Sequence, residues 1–132
     1  HRLKNLCPSL PLIKAVRVQS TKQILEAEKL PCDYLLLDTW QKDSYGGSGK
    51  TFDWTLLKNL PRSKKLFMLA GGLAPENVSN AICFLHPDGV DVSSGVEFIE
   101  KDRPGKDPYR IQAFAEAVQL ADKQLTSKYL SI

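Results

Sequence analysis

The chain has 132 residues, 42% hydrophobic and 25% charged, a globular balance at one domain's length that excludes a disordered or fibrous protein. Its formal charge of +3 is scattered along the sequence, without a basic stripe interleaved with aromatics, so the footprint of a nucleic-acid binder is missing. No apolar run nears the roughly 18 residues of a membrane span, and no basic segment followed by an apolar one opens the chain, so a cytoplasmic protein without a membrane partner is expected.

In chain order, "NLCPSLP" reads as a connection feeding a first strand in "LIKAVRV" (12–18). Ser20 with Gln23 makes a capping-box pattern that opens a helix over "TKQILEAEKL", and Pro31 stops it. "DYLLLDT" (33–39) is the second strand. Asp53 is placed to cap a short helix in "WTLLKNL", which Pro61 limits. "KLFMLAG" (65–71) is the third strand, and Pro75 takes the first helical position of "PENVSNAICFL". "GVDVS" (89–93) is the fourth strand. Asp107 and Pro108 open a final long helix whose Ile111, Phe114, Ala115, Val118 and Ala121 or Leu125 recur at helical spacing.

The second and third strands are nearly continuously apolar, as when both faces of a strand are covered, which marks a parallel sheet with crossover helices. The order βαβαβαβα, with no linker, predicts a single domain over 1–132, either an open doubly wound sheet or part of a closed barrel. Both architectures hold ligands at the C-terminal strand ends. Those ends carry Arg17, Asp38, Gly71 with Gly72, and Ser93, Ser94 and Gly95. Glycine lets a ligand approach the backbone, and serine adds hydroxyl donors.

The stretch "SYGGSGKTFDW" (44–54) ends in Gly49, Lys50 and Thr51, like a nucleotide phosphate loop. That motif requires a glycine where Ser44 stands, and a strand running directly into a long helix. Neither condition holds. Cys7, Cys32 and Cys83 form no C-x-x-C pair and no Cys/His cluster, so buried thiols in a reducing compartment are expected, with no metal site.

Taken together, "LLLDT", "GGSGKTFDW", "LAGGLAPENV" and "GVDVSSGVE" followed by "GKD" closely resemble the C-terminal half of the phosphoribosylanthranilate isomerase family of tryptophan biosynthesis. The resemblance runs from about Pro11 to about Ala117. It implies α/β architecture, namely the last four βα units of a (βα)8 TIM barrel, with no cofactor. It implies Asp38 as general acid, and Asp91 with Gly46, Gly47, Ser48 and Gly49 as substrate-binding residues, the glycines forming a mobile loop. It further implies a phosphate site from Gly71, Gly72, Ser93, Ser94 and Gly95, together with the N-terminus of a short helix after the last strand. The substrate would be a phosphorylated sugar bearing anthranilate.

The family's reaction, an Amadori rearrangement of an aminoaldose to an aminoketose, needs an acid to protonate the ring oxygen and a base to remove the C2 proton. The family's base is a cysteine on the first barrel strand, and no residue here resembles it. Cys7 lies in a connection at the wrong end of a barrel. The isolated chain is therefore expected to show no turnover. Four parallel strands cut from a barrel also expose two edges and an apolar face, which implies recruitment of the N-terminal half-barrel or a homo-oligomer. The competing reading is a non-catalytic half-barrel that binds a phosphorylated metabolite or a partner chain.

Other conspicuous residues have structural readings. Lys14 and Arg17 balance charge inside a barrel or lie at its rim. His86 sits in a turn, Trp54 belongs to the core, and "EKDRPGKD" is an exposed loop with no coherent patch. Glu97 either orients a substrate amine or makes a rim salt bridge.

Overall fold

The computed structural model describes residues 2–38, 54–58, 65–100 and 102–130. The chain divides into two compact units, His1–Gly71 with Pro87–Asp91, and Gly72–His86 with Val92–Ile132.

The first unit holds a four-stranded sheet in the order β1 (Ile13–Arg17), β2 (Tyr34–Asp38), β3 (Leu66–Ala70) and β4 (Gly89–Val90). All neighbours pair in parallel, in the sequential order that βα units produce. Because side chains alternate along a strand, Val16, Leu35, Leu37 and Leu69 share one face. That face is the core, with Leu35, Leu37 and Leu69 at most 2% exposed. The opposite face carries Ile13, Leu36, Asp38, Leu66 and Met68. It is more open, with Ile13 57% and Leu66 47% exposed.

Three helices belong to this unit: α1 (Arg2–Leu6), α2 (Thr21–Glu28) and α3 (Thr55–Lys58). The helix α2 begins where the capping box was expected: the Gln23 side-chain oxygen accepts the N–H groups of Gln19 (2.8 Å) and Ser20 (3.2 Å). It buries Ile24 and Ala27 and ends before Pro31. The Asp53 cap and Pro61 stop expected for α3 fall outside the described residues. The helix α1 was not expected; it buries no side chain, so it leaves no hydrophobic period to read. Its Lys4 ammonium reaches the Asp33 carboxylate at 2.8 Å, and the Leu12 N–H donates to the same oxygen at 2.7 Å. These bonds hold the Asp33 carboxyl below its ordinary value, the Lys4 hydrogen bond contributing most. Cys7 follows α1 and is exposed, and Cys32 and Cys83 are only half-buried, which corrects the expectation of buried thiols.

In the second unit α4 (Val78–Leu85) packs on α5 (Pro108–Leu130). The interior takes Val78, Ala81 and Ile82 from α4 and Phe114 and Ala121 from α5. Pro75 was expected to be the first residue of α4, but the helix starts at Val78. Residues 75–77 form a turn, and Asn77 is the N-cap. The α5 boundary follows the sequence signal, Asp107 accepting the Tyr109 N–H at 2.9 Å. Ile111 and Ala115 fall on the exposed side of α5, and the inward stripe runs through Phe114, Val118 and Ala121 instead. Among the described residues no helix is long and apolar enough to cross a membrane.

Candidate active site

In the first unit the register sets Arg17, Asp38 and Ala70 side by side at the C-terminal ends of β1, β2 and β3. Leu69 pairs with Val90, so continuing by one residue brings Asp91 level with Ala70. The Asp91 N–H donates to the Leu69 carbonyl at 2.8 Å. Asp38 and Asp91 therefore share a face of the sheet with one strand between them, their backbones about 10 Å apart at two strand spacings. Asp38 is half-buried, Asp91 is exposed, and the Asp38 carbonyl accepts the Val18 N–H at 2.9 Å. Sequence reasoning left Arg17 between a charge-balancing and a rim position; its register beside Asp38 puts the cation next to the carboxylate strand end. Gly71 follows β3 with φ of 85°, a left-handed conformation that glycine adopts without strain.

The second unit contains Gly72, Ser93, Ser94 and Gly95, which the sequence resemblance assigns to a phosphate site, on two loops. Gly72 has φ of 66°, and a Cβ added there would meet nothing within 4 Å among the described residues. Asn77 ties this loop together, accepting the Ala74 N–H and donating to the Gly72 carbonyl, both at 2.9 Å. On the other loop Ser93 leads into a 3-10 turn, Ser94–Val96, the short helix expected from sequence. Gly95 lies against the first loop so closely that a Cβ there would stand 1.7 Å from the Leu73 carbonyl oxygen. The N–H groups of Ser94 and Gly95 find no acceptor among the described residues.

Two pairs of charged residues, Arg110 with Glu76 and Lys106 with Glu97, hold these loops. The Arg110 guanidinium makes a two-bond contact with the Glu76 carboxylate (2.8 and 3.1 Å) and donates from Nε and Nη2 to the Gly95 carbonyl (3.1 and 2.9 Å). The Arg110 hydrogen bond is the main reason the Glu76 carboxyl lies below its ordinary value. The Lys106 ammonium donates to the Ser93 carbonyl (2.9 Å), the Ser93 hydroxyl (3.2 Å) and the Glu97 carboxylate (2.8 Å). Glu97 thus makes the rim salt bridge that was one of its two expected roles.

Gly72 and Gly95 are brought together by their loops, as are Asp38 and Asp91 by the sheet. Gly46, Gly47, Ser48 and Gly49 lie outside the described residues. Sequence reasoning missed Glu76, Asn77, Lys106 and Arg110. Lys106 stands inside the quoted "GKD", and Glu76 and Asn77 stand inside the quoted "LAGGLAPENV". A depression of about 390 Å³ near the C-terminal ends of α4 and α5, lined by Cys83, Lys123, Gln124, Leu125 and Ser127, contains none of the expected site residues. Among the described residues no cluster of three His, Cys, Asp or Glu could hold a metal ion.

Parallel βα units, with Arg17, Asp38 and Asp91 at the C-terminal ends of the strands, define an α/β chain built on a parallel sheet. Residues 1–117 match the family model described as N-(5'-phosphoribosyl)anthranilate (PRA) isomerase. The chain belongs to this family. The N-(5'-phosphoribosyl)anthranilate isomerase of Lachnoclostridium phytofermentans is 46% identical over 114 residues, covering 79% of this chain and 50% of the relative. The crystal structure of phosphoribosyl anthranilate isomerase from Thermotoga maritima superposes with a TM-score of 0.68 at 38% identity, covering 89% of this chain and 55% of that one. A crystal structure of the isomerase in complex with reduced 1-(o-carboxyphenylamino)-1-deoxyribulose 5-phosphate superposes with a TM-score of 0.63 at 32% identity, covering 89% of this chain and 53% of that one. The chain thus spans about half the length of the relatives it matches.

Proposed function

We propose that this chain is the C-terminal (βα)5–8 half of a (βα)8 barrel that isomerises N-(5-phosphoribosyl)anthranilate to 1-(2-carboxyphenylamino)-1-deoxyribulose 5-phosphate. The observation that carries the reading is the placement of Asp38: a half-buried carboxyl at the end of β2, on the same sheet face as Asp91. Asp38 donates a proton to the ribose ring oxygen as the C1–O bond breaks and the anthranilate nitrogen forms a Schiff base with C1. The C2 proton then leaves to a base, giving an enolamine that tautomerises to the aminoketose. Asp91 contacts the substrate from the neighbouring rim. That base is supplied by the first barrel strand, outside this sequence.

Gly71, Gly72, Ser93, Ser94 and Gly95 take the phosphate through backbone N–H groups and hydroxyls, and Gly46, Gly47, Ser48 and Gly49 belong to a loop that closes over the sugar. The half-barrel assignment is supported by the exposed apolar residues Ile13 and Leu66, on the same sheet face as Asp38 at the opposite strand ends, a face that the remaining strands of a barrel would cover. The test is to incubate the intact protein, as its gene encodes it, with N-(5-phosphoribosyl)anthranilate and follow the product by its absorbance. Turnover is expected. A folded intact protein that leaves the substrate unchanged would overturn the reading.

A further inference from the structure

We propose that Arg110 is a positioning residue for the phosphate site: it clips the loop of Gly72 to the loop of Gly95, so that the donors on both loops face one anion. The inference rests on the phosphate site proposed above and adds a residue that does not touch the ligand. Four observations carry it. Arg110 grips Glu76, on the first loop, with two parallel bonds. The same guanidinium grips the Gly95 carbonyl on the second with two more. The backbones of the two loops already touch at Leu73 and Gly95, where no side chain fits between them. The Arg110 side chain is only 18% exposed.

Only a guanidinium meets this demand, because its donors are fixed in a planar fork that reaches a carboxylate and a carbonyl at once. Its charge is already matched by Glu76, as that of Lys106 is by Glu97. Neither cation is left to act as a simple point charge for an anion, so Arg110 contributes geometry. That distinction predicts the signs of three substitutions. Arg110→Lys keeps the charge and loses the fork, so it should behave nearly like Arg110→Ala. Glu76→Gln, at a side chain 64% exposed, loosens one loop and should weaken phosphate binding. Were Arg110 instead a phosphate ligand restrained by Glu76, Glu76→Gln would free it and strengthen binding.

The experiment uses the intact protein and inorganic phosphate, with binding read by titration and as competitive inhibition of turnover, far below each variant's melting temperature. Wild type should bind phosphate. In Arg110→Lys and Arg110→Ala the dissociation constant and the substrate KM should both rise about tenfold, with kcat changed less than about threefold. Glu76→Gln should shift them in the same direction by a smaller factor. Wild-type affinity in Arg110→Lys, or tighter binding in Glu76→Gln, would overturn the positioning role. Failure of the wild type itself to bind phosphate would instead overturn the phosphate site on which the inference rests.

Discussion

Replacing Gly95 by alanine tests the loop contact at its tightest point. The new methyl carbon would lie 1.7 Å from the Leu73 carbonyl oxygen, 2.8 Å from its carbon and 3.0 Å from the Ala74 α-carbon, all backbone atoms. Contact between such atoms begins near 3.5 Å, so the loops must part by roughly 1.5 Å or more. That movement overpacks a fixed site and stretches the two Arg110 bonds to Gly95, for a cost of about 3 kcal/mol. At Gly72 a methyl group meets nothing within 4 Å, so Gly72→Ala carries only the left-handed backbone penalty of about 1 kcal/mol. Urea unfolding of the intact protein measures both. Gly95→Ala should also weaken phosphate binding, and combined with Arg110→Ala it should cost less than the sum of the two, because both act on one contact. A Gly95→Ala protein within about 0.5 kcal/mol of wild type would refute the reasoning.

The Glu76 carboxyl lies below its ordinary value of 4.5 because it accepts the Arg110 hydrogen bonds, so it stays charged to lower pH in the folded than in the unfolded chain. Its contribution is fully present above the ordinary value and fades as pH falls through the lowered one. The stability gap between wild type and Glu76→Gln should be constant above about pH 6 and shrink below about pH 4.5; a gap unchanged down to pH 3 would contradict this. A bulky Gly72→Leu should abolish phosphate binding by blocking backbone approach while leaving a folded protein, and retained binding in a titration would count against that site. Residues 1–132 produced alone should show no isomerase turnover, since the base that removes the C2 proton lies outside them; wild-type rates would overturn the need for the other half.

What could be read from the sequence was what local physics writes there. "DYLLLDT" is apolar on both faces, and it forms β2 with Leu35 and Leu37 buried. Gln23 and Asp107 mark helix starts because their side chains accept N–H groups within a few residues, Gln23 from Ser20 and Asp107 from Tyr109. The strand-end placement of Asp38 was legible because an apolar strand run stops at this carboxylate. The clip was not legible: Arg110 meets Gly95 across 15 residues and Glu76 across 34, and no periodicity encodes a pairing at such distances. Pro75 misled because a proline suits a first helical turn, whereas the amide of Asn77 ties the chain back to Gly72 and Ala74 and starts α4 later. Ile111 matched the helical period by residue type, yet the α5 stripe turns past it to Phe114. The fourth strand, expected over 89–93, shortens to Gly89–Val90 and pairs with β3.

The account stands most directly on Asp38 as the proton donor. The decisive measurement is steady-state turnover of N-(5-phosphoribosyl)anthranilate by intact wild-type and Asp38→Asn proteins, with inorganic phosphate binding determined in parallel. Asparagine keeps the shape and cannot supply the proton, so kcat should fall about 10² to 10⁴-fold, the usual contribution of a general acid, with phosphate affinity unchanged. An Asp38→Asn protein that binds phosphate normally and turns over at the wild-type rate would contradict the assignment.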